Sequence, residues 1–167
     1  MTLVILLGAP GAGKSTVGAL LAKSLKLAFV DTDKVIEQIS GKSVSQIFVD
    51  DGEDVFRALE LEVLENQLQA SDTVLSLGGG APISPTAQAL LKNSKSIKIF
   101  LDVSLSVAAP RVGFNRDRPL LLGNPRAQWQ SLLDKRRPIY EDLADHCIKV
   151  DAMKANAIVS RIVELVK

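Results

Sequence analysis

Apolar positions along this chain alternate between two patterns. Short β-type apolar runs recur at Leu3–Leu7, Ala28–Val30, Val74–Leu77, Ile97–Leu101 and Cys147–Val150. Runs of that length that lack strict apolar–polar alternation fit strands covered on both faces, as in parallel sheets. Between them lie stripes of helical period, such as Val17, Leu20, Leu21 and Leu25 at i, i+3, i+4 and i+8. Strand alternating with helix predicts an α/β fold with a five-stranded parallel sheet flanked by helices.

Helix boundaries are marked by polar residues. Ser43-x-x-Gln46 has the form of a capping box, and Ser84-Pro85 that of an N-cap followed by proline at the first helical position. Asp51-Gly52 predicts the end of a short helix and the start of a long one over 53–69. The segment from Gly113 to Pro125 breaks the pattern. It is dense in Gly, Asn, Asp and Pro yet contains three consecutive leucines, which predicts a closing lid over 113–125.

In open parallel sheets ligands bind beyond the carboxyl ends of the strands. After the first strand, Gly8 to Ser15 read G-A-P-G-A-G-K-S, the full phosphate-loop pattern G-x-x-x-x-G-K-[ST]. Backbone N–H groups and the helix N-terminus would cradle nucleotide phosphates, with Lys14 on the β- and γ-phosphates and Ser15 on Mg²⁺. After the second strand come Asp31 and Asp33, which could divide metal support and proton acceptance between them; alternatively, Asp33 caps a helix starting near Val35 and Asp31 is solvated. After the third come Gly78, Gly79 and Gly80, either a close approach of backbone to ligand or a plain turn. No acid ends the run Val74–Leu77, so Asp31 is the candidate second support for the metal.

Arg57 continues the helical row Leu61, Leu64, Leu68 and should point inward, where it could receive a substrate carboxylate with Glu60 at i+3 holding it, or form an ordinary structural ion pair. Arg116 or Arg118 could swing over the phosphates, Arg111 could face the base or ribose, and one of Lys135, Arg136 and Arg137 could complete an anion clamp. Each of these cations could equally be a solvated surface charge. Trp129 should pack on the lid-side helix, and His146 and Cys147 are read as structural.

Composition narrows the partners. At 167 residues the chain fits one domain, 1–167, and 47% hydrophobic residues with only seven aromatics imply an aliphatic core. A formal charge of +1 gives no global attraction to nucleic acid or to an anionic membrane. One Cys and one His leave no disulfide and no pair of zinc ligands, which fits a reducing, cytoplasmic setting. No apolar run approaches the ~20 residues of a membrane span, and a monomer is expected.

These motifs together resemble the shikimate kinase family over nearly the whole chain. The likeness rests on G-A-P-G-A-G-K-S, D-T-D at Asp31 to Asp33, I-F-x-x-x-G-E-x-x-F-R-x-x-E from Ile47 to Glu60, L-S-L-G-G-G-A from Leu75 to Ala81, R-P-L-L from Arg118 to Leu121, and K-R-x-P-x-Y from Lys135 to Tyr140. The resemblance implies a P-loop kinase fold of the nucleoside monophosphate kinase type, with a substrate-binding helical region over 33–60. It implies transfer of the ATP γ-phosphoryl to the 3-hydroxyl of shikimate, in aromatic amino acid biosynthesis. ATP would be held by Gly11, Ala12, Gly13, Lys14, Ser15 and Thr16, with Arg111 and Arg118. Mg²⁺ would be held by Ser15 and, through water, Asp31. Shikimate would meet Asp33 as base, the glycines from Gly78 to Gly80, and Arg57 and Arg136 on its carboxylate. The segment from Asp151 to Asn156 lacks the arginine common in the family's adenine loop, and Pro110 stands where the family usually continues a helix. Another small-metabolite kinase, such as gluconate kinase, and a nucleotide-dependent switch module are the alternative readings.

Overall fold

The computed structural model describes residues 2–113 and 124–167. Five strands, β1 (Leu3–Leu7), β2 (Ala28–Asp31), β3 (Thr73–Ser76), β4 (Ile97–Asp102) and β5 (His146–Lys149), form one parallel sheet in the order β2-β3-β1-β4-β5. The helices among the described residues are α1 (Lys14–Leu25), α2 (Thr32–Ser40), α3 (Val44–Asp50), α4 (Glu53–Gln67), α5 (Pro85–Asn93), α6 (Leu105–Val112), α7 (Pro125–Leu143) and α8 (Ala155–Val166). None is long and apolar enough to cross a membrane.

β1 is the central strand and is buried along its whole length, which is why its sequence is an uninterrupted aliphatic run. Truncating the fully buried Ile5 to alanine is expected to cost about 2–5 kcal/mol. The chain's path diverges at β1, toward β3 on one side and β4 on the other, so the loop after Leu7 opens at the switch point where such sheets bind ligands. A smaller core of Ile36, Ile47, Phe56 and Val63 sits beneath α2, α3 and α4 and ties that helical region together.

Several expectations shift by a residue or a turn. β3 and β5 each begin and end one position earlier than the apolar runs, because pairing with β1 and β4 stops at Ser76 and Lys149. Leu20 is 36% exposed, and the buried face of α1 is Lys14, Val17, Gly18, Leu21 and Ala22. Ser43 Oγ accepts from Gln46 N at 3.1 Å, but the Gln46 side chain donates to Asp50 rather than returning to Ser43, so only half of the capping box forms. Ser84 caps α5 as expected, with Pro85 in its first turn. The long helix ends at Gln67, two residues early. α6 runs through Pro110 to Val112.

Candidate active site

The loop between β1 and α1 closes on Gly13, whose φ of 92° lies in the left-handed region that glycine enters without steric cost. No side chain caps α1, so its first N–H groups remain available to an anion. A cavity of about 600 Å³ opens there, walled by the phosphate loop from Pro10 to Val17 together with Asp31, Asp33, Gly78 and Gly79 on one side and Arg111 on another. Thr16, exposed on the first turn of α1, is part of that wall.

Lys14 is buried, and its Nζ donates to the carbonyls of Gly8 (2.7 Å) and Ala9 (3.1 Å). Loss of solvation lowers its pKa to about 8, against the attraction of Asp33 and Asp31. Ser15 Oγ donates to Asp31 Oδ2 at 2.7 Å. The other oxygen, Asp31 Oδ1, accepts from the backbone N–H groups of Asp33 (3.0 Å) and Lys34 (3.4 Å), making Asp31 the N-cap of α2. This corrects the alternative in which Asp33 caps a helix near Val35: α2 begins at Thr32 because Asp31 takes the cap. Both acids nevertheless line the cavity. Asp31 ends β2, and Asp33 turns inward from the first helical turn.

Asp33 Oδ1 lies over Gly78, 2.7 Å from where a Cβ would stand. Burial foremost, then the Asp31 charge, raises the Asp33 pKa, with Lys14 pulling the other way. Between the acids sits Thr32, fully buried, whose Oγ1 accepts from Gly78 N at 3.0 Å and so pins the glycine loop to α2. A threonine between two acids opposite a triple-glycine turn is a polar residue that must find a partner when buried, and that was the available signal.

Arg57 points inward as its helical row predicts, and Glu60 Oε1 accepts from Arg57 Nη1 at 2.6 Å. Its guanidinium lies against Gly80 so closely that a Cβ there would overlap Nη1 and Nη2. From the other side Arg136 reaches Gly79, its Nη1 3.4 Å from that residue's Cβ position, and stands beside the Tyr140 hydroxyl. Tyr140 is buried and donates to the Gly79 carbonyl at 2.5 Å. Of the three neighbouring cations, Arg136 alone enters the site: Arg137 pairs with Asp102 at 2.6 Å, and Lys135 is exposed. A second cavity of about 490 Å³ lies between Arg57, Glu60, Gly80 and Arg136.

Arg111 Nη1 donates to the Gly11 carbonyl at 3.1 Å, which sets it at the rim of the phosphate loop. Trp129 is buried in α7, where its indole N–H donates to the Pro10 carbonyl at 3.0 Å, a contact with the phosphate loop that the sequence reading did not anticipate. Its signal was spacing, since Trp129, Arg136 and Tyr140 stand at i, i+7 and i+11 on one helix face. Arg116, Arg118 and most of the expected lid lie outside the described residues. Among the described residues no group of three or more His, Cys, Asp or Glu is gathered as for a metal held by protein alone.

A family model described as shikimate kinase matches residues 10–167. The shikimate kinase of Saccharopolyspora erythraea is 45% identical over 163 residues, covering 97% of this chain and 92% of that protein. That of Thermobifida fusca is 49% identical over 142 residues, covering 85% and 81%. Among solved structures, shikimate kinase from Acinetobacter baumannii in complex with shikimate superimposes with a TM-score of 0.93 at 32% identity, covering 99% of this chain and 93% of that one.

Proposed function

This chain belongs to the shikimate kinase family of ATP-dependent kinases, and we propose that it transfers the γ-phosphoryl group of ATP to the 3-hydroxyl of shikimate, acting as one kinase domain over residues 1–167. The observation that carries this reading is the position of Asp33. Its partly buried carboxylate feels both Lys14, on the phosphate-loop side, and Arg57, on the side of the glycine loop. A base between a phosphate cradle and an arginine clamp suits an acceptor that bears both a hydroxyl and a carboxylate.

The donor half is the phosphate loop. Backbone N–H groups from Gly11 to Thr16 and the α1 N-terminus receive the phosphates. Lys14, its pKa lowered to about 8 by burial, becomes a firmer cation once phosphate replaces the lost solvation, and then stabilises charge on the β- and γ-oxygens. Arg111 bounds the nucleotide end of the cavity. The charge-neutralising part given to Arg118 rests on the R-P-L-L motif alone. Ser15 and Asp31 offer hard oxygen donors 2.7 Å apart beside this loop, a set that fits Mg²⁺ completed by phosphate and water oxygens; bound there, the ion would neutralise phosphate charge.

The acceptor half is Asp33, the glycine loop and the two arginines. Arg57 and Arg136 fork onto the shikimate carboxylate, and Glu60 keeps Arg57 aimed. Gly78, Gly79 and Gly80 let the ring approach backbone. With the ring so held, Asp33 accepts the proton of the 3-hydroxyl as its oxygen attacks the γ-phosphorus, and the bond to the β,γ-bridging oxygen breaks to release ADP.

The test is an acceptor panel. Purified protein with ATP and Mg²⁺ should release ADP with shikimate and not with gluconate or AMP, and the product should carry phosphate on the 3-oxygen. Release driven by gluconate or AMP, with shikimate inert, would overturn the assignment. Shikimate binding that needs an added protein partner would favour the switch reading.

A further inference from the structure

A loop that presents backbone N–H groups to an anion must turn its carbonyls elsewhere, and donors from other parts of the chain then fix where they point. Here four successive carbonyls have one. Lys14 Nζ takes those of Gly8 and Ala9, the Trp129 indole N–H takes that of Pro10, and Arg111 takes that of Gly11. Lys14 and Arg111 belong to the cavity wall, but Trp129 stands behind it, 5% exposed, on α7.

The peptide joining Pro10 to Gly11 is planar and trans, so its C=O and N–H point in opposite directions. A carbonyl drawn back to Trp129 therefore aims the Gly11 N–H the other way, into the cavity that Pro10 and Gly11 line. Pro10 has no N–H of its own, so rotating this peptide would remove a donor from the cavity and present an oxygen to the phosphates in its place. We infer that Trp129 is a positioning residue for nucleotide binding: its indole N–H fixes the Pro10–Gly11 peptide with the Gly11 N–H toward the phosphates. The inference rests on the reading of this loop as the ATP site.

Trp129 also comes from the helix that reaches the acceptor side. Leu133 continues its buried face, and Arg136 and Tyr140 follow on the same face against Gly79. Pro10 itself abuts that glycine, its Cδ 3.2 Å from the Gly79 Cβ position. The phosphate loop is thus seated on the element that also holds the glycine loop.

Because the chain has a single tryptophan, biosynthetic replacement by β-(3-benzothienyl)alanine changes this one position, nearly keeping the bicyclic shape and putting a sulfur that cannot donate in place of the N–H. Calorimetric binding of a non-hydrolysable ATP analogue with Mg²⁺ should weaken about three- to tenfold, the range expected for one lost hydrogen bond, while shikimate affinity holds and the melting temperature falls by no more than the roughly 2–4 °C of a single such bond. Trp129→Phe should weaken the analogue in the same sense. A nucleotide Kd within twofold of the parent in the replaced protein would overturn the inference, as would an equal loss of affinity for both ligands, which marks a general loosening of α7. Failure of shikimate as acceptor would sink the proposed activity and leave this comparison of nucleotide affinities standing.

Discussion

Ser15 and Asp31 meet at 2.7 Å, joining the first turn of α1 to the last residue of β2, while the second Asp31 oxygen caps α2. One carboxylate thus has a structural oxygen and a site-facing oxygen. Asp31→Asn keeps an oxygen for the cap and loses the charge, so the Mg²⁺ concentration for half-maximal turnover should rise tenfold or more with little change in unfolding midpoint. Asp31→Ala should in addition lose about 1 kcal/mol of stability with the cap. Magnesium titrations beside denaturant unfolding separate the two roles, and an unchanged magnesium midpoint in Asp31→Asn would remove Asp31 from the metal.

Burial and the Asp31 charge raise the Asp33 pKa, so the acidic limb of kcat/KM for shikimate should lie above the ordinary carboxylate range of about 4. The native state then binds more protons than the unfolded state between the two pKa values, and stability falls as pH rises through that window. Asp33→Asn should abolish most turnover, leave nucleotide affinity within a few fold, and flatten stability against pH just above 4. Turnover within a few fold of the parent would show that Asp33 is not the base.

A methyl group at Gly80 would occupy space now held by the Arg57 guanidinium, which Glu60 fixes from behind. Gly80→Ala should therefore raise the KM for shikimate at least tenfold by displacing Arg57, with KM for ATP unchanged. Overpacking should also cost about 1–3 kcal/mol in unfolding experiments. An equal rise in both KM values would place the damage in the whole cavity instead of the clamp.

Burial lowers the Lys14 pKa to about 8 from the ordinary lysine value of 10.5. Between these values the unfolded state binds the extra proton, so the parent's stability relative to Lys14→Met should climb with pH from 8 to 10.5 and stay flat below 8. Denaturant unfolding of both proteins across that range reads the slope directly. A difference that does not vary with pH would mean that Lys14 is not desolvated in the native state.

The order of strands and helices was legible because the strands fall on apolar runs and some helix starts carry a polar cap, as at Ser43 and Ser84. Phe100 and Ile5 could be assigned to strands without knowing which lay beside the other. The phosphate loop was equally legible, since a contiguous stretch both makes the turn and supplies Lys14 and Ser15. Arg57 was readable as inward-facing from the row it shares with Leu61 and Leu64, and Glu60 followed one turn away.

Other relationships depend on residues far apart in the chain. Which of Lys135, Arg136 and Arg137 faces the site was decided by the rotation of α7, with Tyr140 on Gly79 and Arg137 on Asp102. Thr32 on Gly78 spans 46 positions and Trp129 on Pro10 spans 119. Local periodicity specifies a helix's buried face but not the element that face will meet, and a hydrogen bond between distant segments exists only once the sheet order has brought them together. From its own residues the chain thus determined a parallel α/β sheet, a phosphate cradle and the chemical groups of a two-substrate site. Tertiary packing alone decided which oxygen of Asp31 faces Ser15, where Asp33 turns, and what holds the carbonyls of the phosphate loop, because each of these is set by directions that converge from separate elements.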